Sequence, residues 1–584
     1  MAAERPGLGR EAAAFFAAFV RFARWRAAQA VGLIGLGAAL DGVGLLLLVP
    51  LLDLVLRPGG EGRFPFAHVV TRLLVVGDQT QRLLILIGAF AVLMMVRAGV
   101  LSQRDRLLNR LQMEFVEAIR ARLIARIAGA RWSDIAGIRH ARMAQALSVE
   151  IHQIGVAAHS ILLTVVAVVV LAGHCVLAVA MAPLTGAIAI GFAVLGALVS
   201  RPYLTRARDL GRAITEAHFG MTDGALSFLG GLKVAIAQGQ GGLFVDEHRR
   251  VSLAAMRDRL AFAGQQSGLR AVTTALAAAI GAATVVFGVV VAHLEPSVLI
   301  TLLLVLSRMS GPAQILQQGA QQVLHSLPAY GVALSLEAAL GQAPPAEAGG
   351  APLSVRPDAP IILCGVTYRH ADVDDAPLEN IDLTLPSGAF VGIVGPSGTG
   401  KTTFLDLVAG VLSVQTGRIS VHGYDLEGPG LTVHRQRIAY VAQDSFLFDD
   451  TLRRNLDWAR PGCSETEMRQ ALDLVGAGDL LARLGGDLDS RVGERGGLVS
   501  AGERQRLALA RALLRDPAIL ILDEATNAID LAGERAILER LDGLRPRTTI
   551  LMVAHRNESL AFCDCLLTFP GAKMRLAPPV ARAV

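Results

Sequence analysis

A glycine-rich run with a single lysine, GPSGTGKTT at 395–403, carries the clearest chemical signal in this 584-residue sequence. It follows the apolar run AFVGIV at 389–394, which predicts a strand, and it leads into a predicted helix at 403–409. In the pattern G-x-x-x-x-G-K-[ST], glycines let backbone N–H groups turn inward around phosphates, the lysine reaches the β- and γ-phosphates, and the following hydroxyl binds Mg²⁺. We therefore predict a nucleotide phosphate site in which Lys401 contacts phosphate and Thr402 ligates the metal. The other predicted phosphate-binding residues of this loop are Gly395, Ser397, Gly398, Thr399, Gly400 and Thr403.

A second apolar run, AILILDE at 518–524, ends in two carboxylates. Asp523 is placed at the C-terminal end of a predicted strand, where it would hold Mg²⁺ directly or through water. Glu524 is placed to orient and deprotonate an attacking water as a general base. An apolar run followed by Asp-Glu is usually a plain strand end, and the pairing with the phosphate loop makes the signal specific.

The composition shows which elements must position these residues. The chain is 53% apolar and 18% charged, with a mean hydropathy of +0.48, which excludes disorder and disfavours a single soluble domain. Residues 1–340 carry 30 basic and 19 acidic groups, whereas the remainder carries 25 basic and 31 acidic groups. Because the basic half is also the apolar half, we expect a lipid bilayer as its partner and no nucleic acid. Lysine is rare, and one of the three lysines falls on the phosphate loop.

The apolar half predicts a six-helix transmembrane domain over 1–340. The predicted spans are roughly 28–52, 83–101, 160–181, 183–200, 271–293 and 296–316, each near the ~20 residues that cross a bilayer. The segments 102–159 and 201–268 carry nine basic residues each, so the positive-inside rule places both in the cytoplasm, with both termini. We expect a multi-pass protein of the inner (cytoplasmic) membrane.

Smaller features complete the expected helical domain. Phe15, Phe19, Phe22 and Trp25 lie near one helical face, which predicts an interfacial helix at 11–27 before the first span. The cytoplasmic segments have helical periodicity, and we expect the spans to continue past the bilayer to turns at Trp132–Gly137 and Asp223–Gly231.

The acidic half follows a Pro/Ala/Gly-rich stretch, GQAPPAEAGGAP at 341–352, within a predicted linker at 341–354. Strands and helices then alternate over 355–584, which predicts an α/β nucleotide-binding domain around the phosphate loop. The five cysteines form neither a disulfide framework nor a metal-binding pattern.

Between the phosphate loop and Asp523, the segment LVSAGERQRLALARALLRDP at 498–517 resembles the signature region of the ATP-binding cassette (ABC) proteins. The resemblance implies that Ser500 and Gly502 contact the γ-phosphate held by an opposite cassette, at a helix N-terminus that suits an anion in any case. Two positions depart from the usual Ser-Gly-Gly-Gln, namely Ala501 and Glu503, and both replacements are conservative in size.

Other positions match the family in order. Gln443 resembles the glutamine that senses Mg²⁺ and the membrane domain, Asp530 resembles the D-loop aspartate, and His555 resembles the switch histidine that contacts the γ-phosphate. The family's adenine-stacking aromatic lies near the start of the cassette, where Tyr368 and His370 are both candidates. The segment SRVGERG at 490–496 resembles a loop of ABC exporters that touches the cytoplasmic helices of the membrane domain.

Taken over the whole chain, the resemblance implies an ABC exporter half-transporter with ATP and Mg²⁺ as ligands. It implies ATP-driven export or flipping of an amphipathic substrate: a peptide, a lipid, a lipid-linked sugar or a hydrophobic small molecule. One cassette cannot complete a site, because the signature and the phosphate loop face each other across a dimer. A homodimer is favoured, since no motif is degenerate, and a heterodimer stays an alternative.

Two charges stand near mid-depth of predicted spans, Asp41 on the first and Arg308 on the sixth. An isolated charge there costs ~2.5–3.5 kcal/mol on insertion scales, so it should face a cavity or a partner. One hypothesis is that Asp41 and Arg308 form an ion pair or contact substrate; the alternative is that each faces water in the cavity. Arg97 and His174 are weaker candidates, since Arg97 would also reach the cytoplasmic face by snorkelling.

Three other functions are weighed against an exporter. A soluble mechanical ABC ATPase that acts on DNA conflicts with six spans and an acidic cassette. An importer conflicts with the fused cassette and with the Val-Gly-Glu sequence at 492–494. An ATP-gated channel or regulator is disfavoured by the intact Glu524.

Overall fold

The computed structural model describes residues 8–56, 79–181, 183–291, 296–340, 356, 358–370, 378–493 and 496–576. Residues 131–133 aside, the chain divides into two compact units, one within 1–342 and the other within 343–584. This division lies close to the predicted domain boundary at 340. The predicted linker at 341–354 lies outside the described residues.

The described part of the first unit is helical apart from short turns. Its α-helices are α1 Leu8–Ala23, α2 Trp25–Leu56, α3 Gln79–Gly129, α4 Trp132–Ala136, α5 His140–Gln145, α6 Ile151–Met181, α7 Pro183–Ala237, α8 Gly241–Val290 and α9 Pro296–Ala339, with a π-helical turn, Ala146–Glu150, before α6. Five stretches of the described helices are long and apolar enough to cross a membrane: Trp25–Leu47, Leu83–Gly129, His140–Ala180, Gly241–Val290 and Leu299–Ala339.

These five stretches overlap the first, second, third, fifth and sixth predicted spans. The fourth, 183–200, lies in α7, and most of its side chains fall outside the described residues. Several helices continue well past their predicted spans. Helix α3 has 51 residues, which at 1.5 Å per residue is about 76 Å, more than twice the ~30 Å hydrocarbon core.

One predicted turn of this unit is wrong and another is confirmed. Helix α7 runs without a break through Asp223–Gly231, because single glycines cost a helix only about 1 kcal/mol each and do not end it. The chain turns instead at 238–240, where Gly239 adopts a φ of +66° that disfavours other residues. The predicted turn at Trp132–Gly137 does interrupt the long helices, around the five-residue helix α4.

The aromatic face of the predicted interfacial helix packs within the protein. Helix α1 ends at Ala23, and Arg24 has a φ of +48° before α2 begins. Phe15 and Phe19 are buried, and both rings lie edge-on to Phe115, with centroid distances of 5.9 and 5.1 Å. Phe15 and Phe19 therefore pack against a helix of the same unit, whereas Trp25, from the same predicted face, is 65% exposed.

The second unit contains two sheets. Strands β1 Ile361–Tyr368, β2 Leu378–Leu385, β4 Thr416–Val421 and β5 Tyr424–Asp425 form an antiparallel sheet in the order β2-β1-β4-β5. Strands β3 Phe390–Val394, β6 Ile438–Val441, β7 Ile519–Asp523, β8 Thr549–Val553, β9 Cys565–Thr568 and β10 Lys573–Leu576 form a sheet in the order β10-β9-β3-β8-β7-β6. All pairings in the second sheet are parallel except β10 with β9.

The helices of this unit alternate with the strands, as the α/β prediction required. They are α10 Lys401–Val408, α11 Pro429–Arg437, α12 Leu452–Asp457, α13 Glu465–Leu474, α14 Gly478–Arg483, α15 Ala501–Leu513, α16 Leu531–Asp542 and α17 Asn557–Leu560. Strands β7 and β8 are buried over their whole length, which explains their continuous apolar runs. The carboxyl ends of β3, β7 and β8 meet at one edge of the sheet and carry the site.

Candidate nucleotide-binding site

The phosphate loop connects strand β3 to helix α10. Gly398 and Gly400 have φ values of +80° and +95°, and Gly400 is the N-cap of α10. The first backbone N–H groups of a helix have no intrahelical partner, so this end of α10 presents donors to an anion. Lys401 is 7% exposed, and its ammonium donates to the carbonyls of Gly395 and Pro396, each across 2.9 Å. The buried lysine is thereby held at the loop that it was predicted to serve.

The residues predicted to ligate a metal fit Mg²⁺ by the chemistry of their donors. Asp523 is 5% exposed at the end of β7, and its carboxylate accepts hydrogen bonds from the hydroxyls of Thr402 and Tyr440. Oxygen ligands from a carboxylate and a hydroxyl are those that Mg²⁺ prefers. Burial raises the pKa of Asp523 above its usual value, which leaves a carboxylate that a bound cation would stabilise in its charged form.

A third acidic group, which the sequence did not indicate, lies behind Asp523. Burial raises the pKa of Asp406, on helix α10, to about 6, and the Asp523 charge adds to the effect. The hydroxyl of Tyr440 hydrogen-bonds to both carboxylates. Tyr440 therefore bridges two acids behind the predicted metal site, one on α10 and one on β7.

Glu524 is the centre of a hydrogen-bonded cluster. Its Oε1 accepts from Nε2 of His555 across 2.9 Å, and its Oε2 accepts from Gln443 across 3.1 Å and from Asn527 across 2.8 Å. The residue has a φ of +52°, a conformation uncommon outside glycine. The structure thus brings together the three residues predicted to be catalytic, Glu524, His555 and Gln443, from three separate segments.

The predicted signature residues form the start of helix α15. The Ser500 side chain accepts from the Glu503 N–H, and the Glu503 carboxylate accepts from the Ser500 N–H, which makes a capping box. Although burial opposes it, the Ser500 N–H and the nearby Arg483 guanidinium hold the pKa of Glu503 below its usual value. Glu503, the departure from the family's glutamine, therefore orders the end of the helix at which Ser500 stands.

Gly502 and Gln505 connect this helix to the segment after Glu524. A Cβ on Gly502 would lie 2.8 Å from the backbone oxygen of Ala528, which is too close, so only glycine fits here without a shift of the backbone. One turn further, Gln505 accepts from the Ala528 N–H across 2.9 Å. Gln505 was not predicted from the sequence, because a glutamine in a helix carries no distinguishing pattern.

Asp530, the predicted D-loop aspartate, has a structural role in the second unit. It is the N-cap of helix α16, where its carboxylate accepts from the Gly533 N–H, and it lies 3.6 Å from Arg506 of α15. The following turn contains Glu534, which is 2% exposed and accepts from Thr526, Ser559 and Arg556. This buried network joins the segments that follow Glu524 and His555, and sequence reasoning did not find it.

The two candidates for adenine stacking differ in exposure. Tyr368 is 8% exposed and packs in the core, with its ring edge-on to His370 at a centroid distance of 5.1 Å. His370 is exposed, and its Nε2 lies 3.1 Å from the hydroxyl of Thr403 in the phosphate loop. Of the two rings, His370 is therefore the more exposed, and it lies beside the phosphate loop. In the segment SRVGERG at 490–496, residues 494 and 495 lie outside the described residues.

In the first unit, Asp41 and Arg308 lie together with two further charged or polar groups. The Arg308 guanidinium lies 3.9 Å from Asp41 Oδ1, that of Arg97 lies 3.0 Å from the same oxygen, and His174 Nε2 lies 3.3 Å from Oδ2. Arg97 thus points to Asp41, whereas the sequence also allowed it to point to the cytoplasmic face.

The phosphate loop between β3 and α10, with the carboxylates at the end of β7 in the same sheet, defines a P-loop nucleotide-binding unit. The helix that begins at Ser500 narrows the class of this unit. Residues 378–527 match the family model described as ABC transporter. The second unit therefore contains an ABC transporter domain, and the chain joins it to a helical unit with several apolar helices.

Individual proteins resemble the chain over part of its length. It is 39% identical over 204 residues to the heterocyst differentiation ATP-binding protein HepA of Nostoc sp., an alignment that covers 35% of this chain and 33% of that protein. It is 40% identical over 203 residues to the ATP-dependent lipid A-core flippase of Sodalis glossinidius, and over 200 residues to that of Escherichia coli K12. The chain spans about a third of the length of these curated relatives, 33–35%.

Similarity of fold extends over nearly the whole chain. A solved structure of a bacterial Atm1-family ABC exporter with ATP bound matches with a TM-score of 0.80 and 22% identity, covering 95% of each chain. The chain therefore has the fold of an ABC exporter, with helical and nucleotide-binding units in one polypeptide.

Proposed function

We propose that this protein is an ATP-driven exporter or flippase of an amphipathic substrate, located in the inner (cytoplasmic) membrane. The observation that carries the proposal is the Glu524 cluster, in which the predicted general base is held by His555 and Gln443 next to the buried Asp523. The fold match and the flippase names of two relatives support the same class of activity.

In the proposed mechanism, Lys401 and the start of helix α10 bind the β- and γ-phosphates of ATP, and His370 stacks on adenine. Thr402, Asp523 and Gln443 would hold Mg²⁺, which when bound neutralises phosphate charge. Glu524 accepts the proton of the attacking water, and His555 orients the carboxylate through their 2.9 Å hydrogen bond.

Two copies of the chain are needed for this mechanism. The resemblance assigns Ser500, Gly502 and Asp530 to a site completed by the phosphate loop of a second copy, so we infer a homodimer, with a heterodimer as the alternative. ATP binding would close the two nucleotide-binding units, and hydrolysis would reopen them. An ATP-gated channel is the second candidate function; the intact hydrolytic cluster favours a transporter that turns over ATP in each cycle.

The direct test is Mg²⁺-dependent ATPase activity of the purified full-length protein in lipid nanodiscs. Glu524→Gln removes the proton acceptor but keeps the shape, so we expect turnover to fall by about two orders of magnitude or more, with retained ATP binding and a trapped dimer. Glu539→Gln is the matched control, since Glu539 pairs with Arg535 on the exposed face of α16. Full activity of Glu524→Gln would refute the assigned base. A channel would conduct ions in a voltage-clamped bilayer while ATP hydrolysis is blocked.

A further inference from the structure

Four helices of the first unit each contribute one polar side chain to a single group around Asp41. The group, named here the Asp41 cluster, consists of Asp41 on α2, Arg97 on α3, His174 on α6 and Arg308 on α9. Asp41 is 8% exposed and His174 is 3% exposed. All four residues lie within predicted membrane spans, where the surrounding residues are apolar.

The charges of this cluster do not balance. One carboxylate faces two guanidinium groups, so these three residues carry a net charge of +1 before His174 is counted. Arg97, 3.0 Å from Asp41 Oδ1, already forms a full ion pair. Of the described acidic residues, Asp41 alone lies within 4 Å of Arg308, and at 3.9 Å that contact is too long for a hydrogen bond. The need to neutralise Asp41 therefore accounts for the presence of Arg97 in the cluster but not for that of Arg308.

Donors that face the cluster are not fully used. The side chain of Arg308 is 52% exposed and that of Arg97 is 26% exposed. The buried Nε of Arg97 has no hydrogen-bond partner among the described residues. An unpaired buried donor and a surplus cation are both costly in an apolar environment, and a bound anion would relieve both.

The surroundings of the cluster suit the apolar part of a ligand. One turn along the same helices, Leu45, Leu177 and Val305 form an apolar core cluster. An anion that binds here therefore lies beside apolar side chains.

We propose that the Asp41 cluster binds the phosphate group of an anionic amphipathic substrate, with Arg308 and Arg97 as its ligands. This inference rests on the proposed transport function and names the substrate class. Two arginines suit a phosphate because each guanidinium can donate two parallel hydrogen bonds to its oxygens. A phosphate monoester, with a charge of about −1.5 to −2 near neutral pH, matches the surplus charge better than a zwitterionic head group does.

The test measures lipid binding to the full-length protein in phosphatidylcholine nanodiscs. Fluorescent phosphatidic acid is compared with phosphatidylcholine that carries the same label and chains. We expect phosphatidic acid to bind at least about tenfold more tightly, and Arg308→Gln to remove most of this difference, since a charged hydrogen bond is worth about that much. Arg308→Lys keeps the charge but not the planar donor pair, and should weaken binding about threefold. Arg106→Gln, an exposed arginine on the same helix as Arg97, is the matched control and should leave binding unchanged.

A second arm separates a lipid from a free phosphate. Glycerol 3-phosphate at millimolar concentration should not displace phosphatidic acid if the tail contributes; displacement would overturn the amphipathic part of the proposal. Equal affinity of wild type, Arg308→Gln and Arg106→Gln for phosphatidic acid would overturn the whole site. If Arg308→Gln does not yield a monodisperse protein, Arg308→Lys decides, and unchanged binding of that variant overturns the site. If phosphatidic acid does not bind but the Glu524-dependent ATPase is normal, the phosphate site is overturned and the transporter proposal is not. If phosphatidic acid binds specifically but ATPase activity is absent, the transporter proposal is overturned and the phosphate site is not.

Discussion

The hydroxyl of Tyr440 donates a hydrogen bond to Oδ2 of Asp523 across 3.3 Å. The two residues lie on neighbouring parallel strands, with Tyr440 paired to Ile521 in the β6–β7 register. Because Tyr440 also hydrogen-bonds to Asp406, it fixes the orientation of the proposed Mg²⁺ ligand and separates it from a second carboxylate. Tyr440, which belongs to no predicted motif, thus supports the proposed Mg²⁺ site on its buried side.

Tyr440→Phe should weaken Mg²⁺ binding without removing a ligand. Loss of a hydrogen bond that orients a metal ligand typically costs 10–100-fold in affinity or activity, and we expect about tenfold here. Titrating Mg²⁺ against a fluorescent nucleotide reports binding, and the Mg²⁺ dependence of the ATPase provides a second measure. Tyr424→Phe, which changes a buried tyrosine of the antiparallel sheet, should leave both curves in place. A wild-type Mg²⁺ curve for Tyr440→Phe would contradict the positioning role.

Asp406 should make the stability of the second unit depend on pH. Burial raises the pKa of Asp406 from 3.8 to about 6 in the folded protein. Between these values the unfolded chain releases the proton before the folded one, so this residue lowers stability as pH rises from about 4 to 6, and the loss persists above pH 6. Asp406→Asn should therefore raise the free energy of unfolding at pH 8 by about 1–2 kcal/mol after allowance for solvent screening, and have no effect below pH 4.

Thermal unfolding without nucleotide or Mg²⁺, measured across this pH range, checks the prediction. Asp473→Asn changes an exposed carboxylate of the same unit and serves as the control. A constant difference between Asp406→Asn and wild type at all pH values would mean that the substitution acts through packing instead of through titration.

Gly502→Ala should disturb the start of helix α15. The new Cβ would lie 2.8 Å from the Ala528 oxygen, so either the helix or the backbone after Glu524 must shift. Misplacement of about 1 Å near a reacting centre can cost up to 10²-fold, and we expect ATPase activity to fall at least about tenfold. Gly478→Ala meets its nearest neighbour at 3.7 Å and is the matched glycine substitution. Equal activity of the two variants would show that the close approach is not needed.

Glu534→Ala should destabilise the second unit, because it removes the acceptor of three hydrogen bonds and the carboxylate that pairs with Arg556. We expect a loss of about 2–4 kcal/mol, typical of breaking a buried ion pair with one partner partly exposed. Denaturant unfolding followed by tryptophan fluorescence measures it. Glu539→Ala, which breaks only a surface pair with Arg535, should cost less than about 1 kcal/mol.

Local sequence was sufficient for the chemistry of the second unit. The phosphate loop, Asp523-Glu524 and the helix start at Ser500 each depend on a short run of residues, because a strand, a glycine turn and a helix N-terminus are set by local conformation. The alternation of strands and helices followed for the same reason, and so did the apolar helices of the first unit, whose composition alone fits a membrane.

Contacts between distant segments were decided only by the tertiary structure. Tyr440 and Asp406 lie next to Asp523, and Gln505 contacts Ala528, because of strand order and helix packing that no local pattern encodes. Phe15 and Phe19 of α1 pack against Phe115 of α3. The sequence did not predict this contact, because an apolar stripe fits protein and lipid equally well. For the Asp41 cluster, the sequence predicted that Asp41 and Arg308 lie near the middle of their spans. Their contact depends on how the four helices are rotated about their axes, which the sequence does not give.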